Sequence, residues 1–270
     1  MSPELHLNMP FEEYRKVKRV SQSTLKHGRT SMRHLKHAMD NPGETTDAMR
    51  LGSALHCACL EPALMADEVA VWKQRRAGEE WKAFESDNEH RIILTETQYG
   101  LLKGMASALR QHPVFREWIG RIQEVEVSAF ATLEGVECKG RTDALTDEPL
   151  IDLKSTGDLD IGRFIRTTIS LGYDIQGALY TRLFERERFM LLVVESKPPY
   201  DVVAFELKQS QLDAGWRGFT NRYGDHVLGA KELLHLYKQC EEQNYWPGRS
   251  DELIEVHAPE EINEQVRISA

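Results

Sequence analysis

Two short segments of the chain place charged side chains where the neighbouring residues predict buried β-strands. Val136 to Leu145 reads VECKGRTDAL and Leu150 to Lys154 reads LIDLK, and both alternate with period two. Because successive side chains of a strand point to opposite faces, Asp152 and Lys154 share a face of the second strand. A short turn would bring Asp143 of the first strand beside them. The sequence therefore predicts two carboxylates and an ammonium together within one sheet.

Paired acids in such a place need a cation. Two carboxylates brought together repel, and burial would raise their pKa values unless a positive charge neutralises them. A divalent metal does this, and oxygen ligands without cysteine favour Mg²⁺ or Mn²⁺. A nearby ammonium would orient water or stabilise charge on a phosphate. The pattern leaves open a plain Asp–Lys ion pair on a half-exposed sheet face.

The remaining pattern predicts an α/β (α+β) chain, with an α-rich N-terminal part and a mixed central sheet flanked by helices. Periodicity and capping residues predict helices over about 21–39, 46–60, 95–111, 160–169, 173–187 and 209–242. Alternating or apolar runs predict strands over 68–72, 124–133, 136–145, 150–154, 189–196 and 201–207. The polar stretch 73–90 is expected to form a loop or a short exposed helix.

Charge is distributed unevenly along the 270 residues. The net charge is −9, but the last twenty residues hold six acids and one arginine, whereas residues 14–37 hold eight Lys/Arg, three histidines and no acid. A basic run of this kind indicates either a solvated face or a surface that binds phosphates. We expect one domain over residues 1–250, with a catalytic core at about 120–207, followed by an acidic tail at 251–270.

The sequence carries no feature of an exported or membrane protein. Its four cysteines show no CxxC spacing, which favours a reduced, intracellular chain. The N-terminal residues lack the apolar core of a signal peptide, and no run reaches the eighteen apolar residues of a membrane span. A soluble, cytoplasmic protein is the expectation.

The motifs, taken in order, resemble one nuclease group. Asp143, eight residues, and then Asp152-Leu153-Lys154 match the D…(D/E)xK signature, and the flanking matches are SQSTLK, LGSALHCACLEP, KGRTDAL, LIDLKST and QGALY. From about Ser21 to Gly248 the chain resembles the exonuclease VIII (RecE) and lambda-exonuclease branch of the PD-(D/E)xK superfamily. It departs from the superfamily name at Thr142, where the proline would stand.

The resemblance implies a restriction-endonuclease-like core with two Mg²⁺ or Mn²⁺ ions and no iron–sulfur cluster. It implies that Asp143 and Asp152 bind metal and that Lys154 positions the attacking water, these three being catalytic. His56 falls on the histidine of the family's helix and would be a further metal ligand, as would the carbonyl of Leu153. Ordinary core packing is the alternative for this histidine.

The resemblance also implies an activity and partners. It implies a metal-dependent 5′→3′ exodeoxyribonuclease that degrades one strand of linear double-stranded DNA to 5′-mononucleotides and leaves 3′ overhangs for phage-type recombination and repair. A homo-oligomeric ring, trimeric or tetrameric, and a single-strand annealing protein are the implied partners, with no membrane. An endonuclease of the same superfamily and an inactive DNA-binding module are the alternatives.

The expected DNA contacts fall into three groups. Ser21, Ser23, Arg29 and Arg33 would hold a terminal 5′ phosphate through forked hydrogen bonds and a helix N-terminus. Cationic and stacking groups in the polar stretch suit unpaired bases. The full set of expected contact residues is Ser21, Ser23, Arg29, Arg33, Arg75, Arg76, Trp81, Arg141, Gln176 and Tyr180, the last two of which could equally be packing residues or line the metal site.

Overall fold

A computed structural model describes residues 3–41, 43, 45–250 and 253. The strands are β1 (Glu4–His6), β2 (Val20–Ser21), β3 (Val69–Trp72), β4 (Ile92–Thr95), β5 (Ile122–Leu133), β6 (Val136–Thr146), β7 (Pro149–Thr156), β8 (Arg188–Glu195), β9 (Val202–Leu207), β10 (Phe219–Thr220) and β11 (His226–Val227). The helices are α1 (Phe11–Lys16), α2 (Gln22–Leu25), α3 (Met32–Asp40), α4 (Asp47–Leu60), α5 (Met65–Glu68), α6 (Glu79–Asp87), α7 (Glu96–Gln111), α8 (Pro113–Ile119), α9 (Ile161–Ser170), α10 (Tyr173–Leu183), α11 (Gln209–Arg217) and α12 (Ala230–Gln243).

A seven-stranded mixed sheet organises the molecule. Its order is β1-β5-β6-β7-β8-β9, and β2 pairs with β6 off this path. β7 and β8 run parallel, as do β2 and β6, whereas the other neighbours are antiparallel. Because a parallel pair needs a crossover, the chain passes through α9 and α10 between β7 and β8. The predicted fold class, a mixed sheet flanked by helices, is confirmed.

Each face of the sheet is covered by its own apolar core. On one face, α10, α11 and α12 pack with α2 and α3 against strand side chains such as Val127, Cys138 and Phe189. On the other face, α4, α7 and α8 pack against Ala144, Ile151 and their neighbours. Strand β8 is buried along almost its whole length, which explains its unbroken apolar run. The central strands therefore lie between two dry layers.

Local capping explains why several predicted helices begin where they do. Thr46 accepts a hydrogen bond from the amide of Met49 at the start of α4. Thr95 and Gln98 form a reciprocal capping box at the start of α7. The structure confirms the predicted helices α4, α7, α9 and α10 and the exposed helix α6 to within a few residues. It also confirms the six predicted strands, which are β3, β5, β6, β7, β8 and β9.

The prediction of one continuous helix over 21–39 is wrong. The chain forms α2, then a 3-10 turn at Lys26–Arg29, and then the separate helix α3. Ser31 has an extended backbone, and its hydroxyl accepts from the amide of His34, so it caps a new helix instead of continuing the old one. Arg29 and Arg33 therefore lie on different elements and not one turn apart on one helix.

The prediction of a long helix over 209–242 is also wrong. Gly218 ends α11 with φ +81, and a Cβ there would lie 2.2 Å from the Glu232 carboxylate. The Asn221 side chain then accepts hydrogen bonds from the amides of Tyr223 and Asp225 and forms a turn between β10 and β11. Gly218 and the Asn221 turn thus divide this segment into two helices, although its apolar periodicity is continuous.

Two further expectations concern the chain as a whole. Among the described residues, no helix combines the length and apolarity that crossing a bilayer requires. The acidic tail predicted over 251–270 lies outside the described residues except for Leu253.

A buried ion pair joins the N-terminal helices to α10. Arg29 donates to both carboxylate oxygens of Asp174, at 3.0 and 2.6 Å, and Asp174 is fully buried. The same guanidinium donates to the carbonyls of Ile169 and Leu228. This bidentate, carbonyl-supported geometry is the kind that makes an ion pair costly to break from one side.

We expect Asp174→Ala to lower the free energy of unfolding by about 3 kcal/mol, because it leaves the Arg29 cation buried beside an empty space. Urea unfolding followed by circular dichroism measures this change. Asp40→Ala, which removes the exposed pair between Lys36 and Asp40, is the matched control and should change stability by less than about 1 kcal/mol. Equal losses in the two variants would contradict the assignment.

Candidate active site

The site forms where β6 and β7 move apart. These strands pair only at Ala144↔Ile151 and Leu145↔Leu150, next to their connecting turn. Beyond that point the backbones of the two strands are not paired. The Asp143 carboxylate bridges them instead, and its Oδ2 accepts a hydrogen bond from the amide of Leu153 at 2.6 Å. The divergence leaves room for polar groups in the middle of the sheet.

His56 projects from α4 into this opening. Its Nε2 lies 3.1 Å from the carbonyl oxygen of Leu153, and its Nδ1 lies 3.4 Å from Oδ1 of Asp143. Both the histidine and the Leu153 carbonyl thus lie beside Asp143. The other face of α4 packs in the core, so the helix is fixed relative to the strands.

Glu126 of β5 is a member of the cluster that the sequence predictions missed. Its Oε1 lies 3.8 Å from Nδ1 of His56, and ligand atoms of Glu126, His56 and Asp143 all lie within 4.8 Å of one another. Glu126 has φ +53, a left-handed conformation inside a strand, which redirects its side chain locally. The sequence could have indicated this residue, because the register of the β5–β6 hairpin, counted back from the Glu134-Gly135 turn, places Glu126 opposite Asp143.

Asp152 and Lys154 lie on β7 next to this cluster. Oδ2 of Asp152 forms an ion pair with the Lys154 ammonium, and its Oδ1 accepts from Nε2 of Gln176 at 2.6 Å. Gln176 belongs to α10, the second helix of the crossover between β7 and β8, so the helix fixes the orientation of the carboxylate. The ring of Tyr173 lies 5.4 Å from the ammonium.

Burial and the neighbouring charges shift the pKa values of Asp143, His56 and Lys154. Burial raises the pKa of Asp143 to about 7, with a further increase from Asp152 and an opposing effect of His56. Burial acts to lower the pKa of His56, but the Asp143 and Glu126 carboxylates outweigh it and raise that pKa to about 9. Burial likewise opposes ionisation of Lys154, yet Asp152 and Asp143 raise its pKa above the ordinary value, so the side chain is a cation.

This donor set fits a divalent metal. Ligand atoms of Asp143, Glu126 and His56 lie within 4.8 Å of one another, the Leu153 carbonyl lies beside His56, and no cysteine sulfur belongs to this group among the described residues. The Asp152 carboxylate lies next to the group, where it contacts Lys154 and Gln176. Hard oxygen donors with a single nitrogen suit Mg²⁺ or Mn²⁺ better than the metals that select sulfur. The His56 ring and the Lys154 ammonium lie beside the same carboxylates.

The cluster forms part of the wall of a large open cleft of about 1720 Å³. The opposite walls come from the N-terminal residues and from the C-terminal end of α12. Arg15, Lys18 and Arg19 outnumber Glu12 on the N-terminal side, whereas Glu241 and Glu242 outnumber Lys238 at the α12 end. A polyanion is therefore expected to follow the N-terminal wall to the carboxylate cluster.

The predicted phosphate-binding residues separate into two pairs. Ser21 and Ser23 line the cleft, with their hydroxyls 2.9 Å apart. The Arg29 guanidinium instead pairs with Asp174 inside the molecule, and Arg33 is exposed near Gly248, outside the cleft lining. The structure thus brings the two serines to the cleft but neither arginine.

The other predicted contact residues are similarly divided. Tyr180 lines the cleft, and Arg141 lies in its wall, where it donates to Glu126 at 2.7 Å. Arg75, Arg76 and Trp81 lie together around α6, where Arg76 packs over the Trp81 ring and donates to the carbonyl of Ile93. That group does not line the cleft.

A mixed sheet that diverges at its centre to hold two aspartates and a lysine defines a PD-(D/E)xK-type domain. The family model described as a PDDEXK-like domain of unknown function (DUF3799) matches residues 21–256, and the chain belongs to this family within the PD-(D/E)xK nuclease superfamily.

One solved structure shows a similar fold. A protein from Eubacterium rectale, provisionally described as an exonuclease, superposes with a TM-score of 0.57 at 14% identity, covering 96% of this chain and 98% of that one. The proteins SSO0001 (TM-score 0.32, 15% identity, 74% and 89% coverage) and VC1899 from Vibrio cholerae (TM-score 0.23, 13% identity, 90% and 58% coverage) are more distant. No curated protein matches the sequence.

We expect Glu126→Gln to weaken Mn²⁺ binding by at least about 10-fold, because it removes one negative ligand while keeping an oxygen for Arg141. Isothermal titration calorimetry on the DNA-free protein gives the affinity. Glu124→Gln, an exposed acid two residues away on the same strand, is the control and should bind like the wild type. Unchanged affinity in Glu126→Gln would exclude Glu126 as a ligand.

Proposed function

We propose that this protein is a metal-dependent exodeoxyribonuclease that degrades one strand of linear double-stranded DNA in the 5′→3′ direction. The observation that carries the hydrolytic part is the convergence of Asp143, Asp152 and Lys154 beside His56, at the point where His56, Glu126 and Asp143 line an open cleft. The direction, the mononucleotide products and the 3′ overhang rest on the resemblance to the RecE and lambda-exonuclease branch.

Asp143, Asp152, His56, Glu126 and the Leu153 carbonyl would hold the metal. Bound Mg²⁺ or Mn²⁺, two ions by resemblance, would neutralise the carboxylates, polarise the scissile phosphate and make a water acidic enough to attack near neutral pH.

Lys154 acts in this proposal as a fixed cation. Its raised pKa keeps the side chain protonated at neutral pH, so it can donate hydrogen bonds to water or phosphate but cannot accept a proton. Asp152 holds the ammonium, and Gln176 in turn holds Asp152, so the charge is in place before substrate arrives. Such preorganisation is what makes electrostatic stabilisation effective in an enzyme site.

The proposal extends to substrate and assembly. A 5′-phosphorylated end is the expected substrate, with Ser21 and Ser23 on the cleft wall as its candidate contacts. A ring-shaped homo-oligomer and a single-strand annealing protein complete the proposal by resemblance. The same resemblance places the enzyme in recombination and repair.

Linear duplex with 5′-phosphorylated ends and a covalently closed circle of the same sequence test this proposal. With Mg²⁺ or Mn²⁺ we expect mononucleotides from the linear DNA, an intact circle, and no reaction in EDTA. Cleavage of the circle would show an endonuclease instead. Binding of linear DNA without release of nucleotides under any metal would leave only a DNA-binding module.

Lys154→Ala should slow nucleotide release by about 10²- to 10³-fold, because it removes one preorganised charge. DNA binding in EDTA, measured by fluorescence anisotropy, should persist and shows that the variant is folded. Lys208→Ala, which removes an exposed ammonium paired with Glu206, is the control with unchanged activity. Wild-type activity in Lys154→Ala would disprove its assigned role.

A further inference from the structure

The first residues of the chain form an arm along the cleft that precedes the part matched by the family model. This N-terminal arm, residues 3–19, contains β1 and α1, whereas the family match begins at residue 21. β1 pairs with β5 in the register Glu4↔Phe130, Leu5↔Ala129 and His6↔Ser128, so the arm extends the sheet by one strand. Residues 8–12 and most of those that follow line the cleft.

Buried cations of β6 hold the arm in place. The Lys139 ammonium donates to the carbonyls of Tyr14 and Val17 at 2.9 and 2.8 Å, and the Arg141 guanidinium donates to the carbonyl of Met9 at 2.8 Å. Placing a lysine inside a fold is costly unless its donors are satisfied, and here arm carbonyls satisfy them. The arm is therefore anchored to the central sheet by side-chain hydrogen bonds.

The arm presents an exposed aromatic ring to the cleft. Phe11 is 56% exposed on the cleft side, and its ring stacks on Tyr14 with a centroid distance of 6.3 Å and an interplanar angle of 22°. Tyr14 itself is buried, so it supports the exposed ring from below. The guanidinium carbons of Arg15 and Arg141 lie 5.9 and 6.0 Å from the Phe11 ring.

One guanidinium connects this ring to the acidic cluster. Arg141 donates to Glu126 at 2.7 Å and to Met9 of the arm at 2.8 Å, while it lies beside Phe11. The exposed ring is thus separated from the Glu126 carboxylate by this one guanidinium. Lys18, exposed and also lining the cleft, adds a cation farther along the arm.

We propose that the N-terminal arm is a single-strand contact, in which Phe11 stacks on an unpaired base of the DNA strand entering the acidic cluster and Lys18 contacts its backbone. Aromatic rings beside cations are the groups that hold unpaired nucleotides without reading their sequence. A base inside a duplex has both faces covered by its neighbours, so the ring can stack only on a base at the end of the duplex or on an unpaired base, and an unpaired base can reach it more freely. This inference rests on the proposed nuclease function and assigns the arm a part in it.

Binding in EDTA separates this inference from hydrolysis. The probe is a fluorescein-labelled duplex with a 5′-phosphorylated, three-nucleotide unpaired end that carries 2-aminopurine, which loses fluorescence when it stacks. We expect Phe11→Ala to weaken binding by about 5- to 100-fold and to relieve the quenching, because one base–aromatic stack is lost. Phe11→Trp should restore both signals, whereas Phe11→Leu should not restore the quenching.

Two control variants distinguish stacking from charge and from general damage to the arm. Leu7→Ala removes an arm side chain that is 49% exposed but does not line the cleft, and it should bind like the wild type. Lys18→Ala should weaken binding and make it less steeply dependent on salt, whereas Phe11→Ala should leave the salt dependence unchanged.

The outcomes are separable from those of the proposed function. If the wild type binds and cleaves DNA but Phe11→Ala binds with unchanged affinity and quenching, the role of the arm is disproved and the nuclease proposal stands. Equal losses in Phe11→Ala and Leu7→Ala would also disprove it. Failure of the wild type to bind any DNA would overturn both proposals.

Discussion

Burying like charges in the centre of a sheet is the constraint on which the rest of this structure depends. Asp143 and Asp152 are only 8% and 2% exposed, and Glu126 lies close enough to share a histidine with Asp143. Such a cluster is stable only when cations approach it from several directions. His56 comes from α4, Lys154 from β7 and Arg141 from β6, and each is positioned by packing elsewhere. The parting of β6 and β7 beyond their turn provides the space in which these groups meet.

The site was predictable where it lies on regular, local pattern. The Glu134-Gly135 turn and period-two alternation predict β5 and β6, and the spacing from Asp143 to Lys154 predicts that their side chains converge, as observed. His56 was placed by resemblance, since no periodicity brings a histidine of α4 to a strand ninety residues later. The sequence predictions do not include Glu126, although the same hairpin register places it opposite Asp143. Its left-handed backbone and its hydrogen bond from Arg141 are features of the folded structure that the sequence pattern does not show.

The two helices that are predicted as continuous show what apolar periodicity leaves out. The periodicity continues through residues 21–39 and 209–242, but Ser31 caps a new helix in the first range, and Gly218, close to Glu232 and Val227, ends a helix in the second. Arg29 shows the same limit for side chains. Its position in a basic run suggested phosphate binding, yet the buried carboxylate of Asp174, 145 residues away, accepts its guanidinium. The sequence likewise does not predict that the N-terminal arm lines the cleft, because this depends on the pairing of β1 with β5.

The central claim is that the acids are buried in order to hold metal. Crystals soaked in Mn²⁺ and measured at the manganese absorption edge test it directly, because anomalous scattering locates the ion without reference to activity. The account predicts an anomalous peak within bonding distance of Asp143, with ligands drawn from His56, Glu126, Asp152 and the Leu153 carbonyl. A fully occupied Mn²⁺ site elsewhere, with His56 still paired to Asp143 and Lys154 to Asp152, would contradict it.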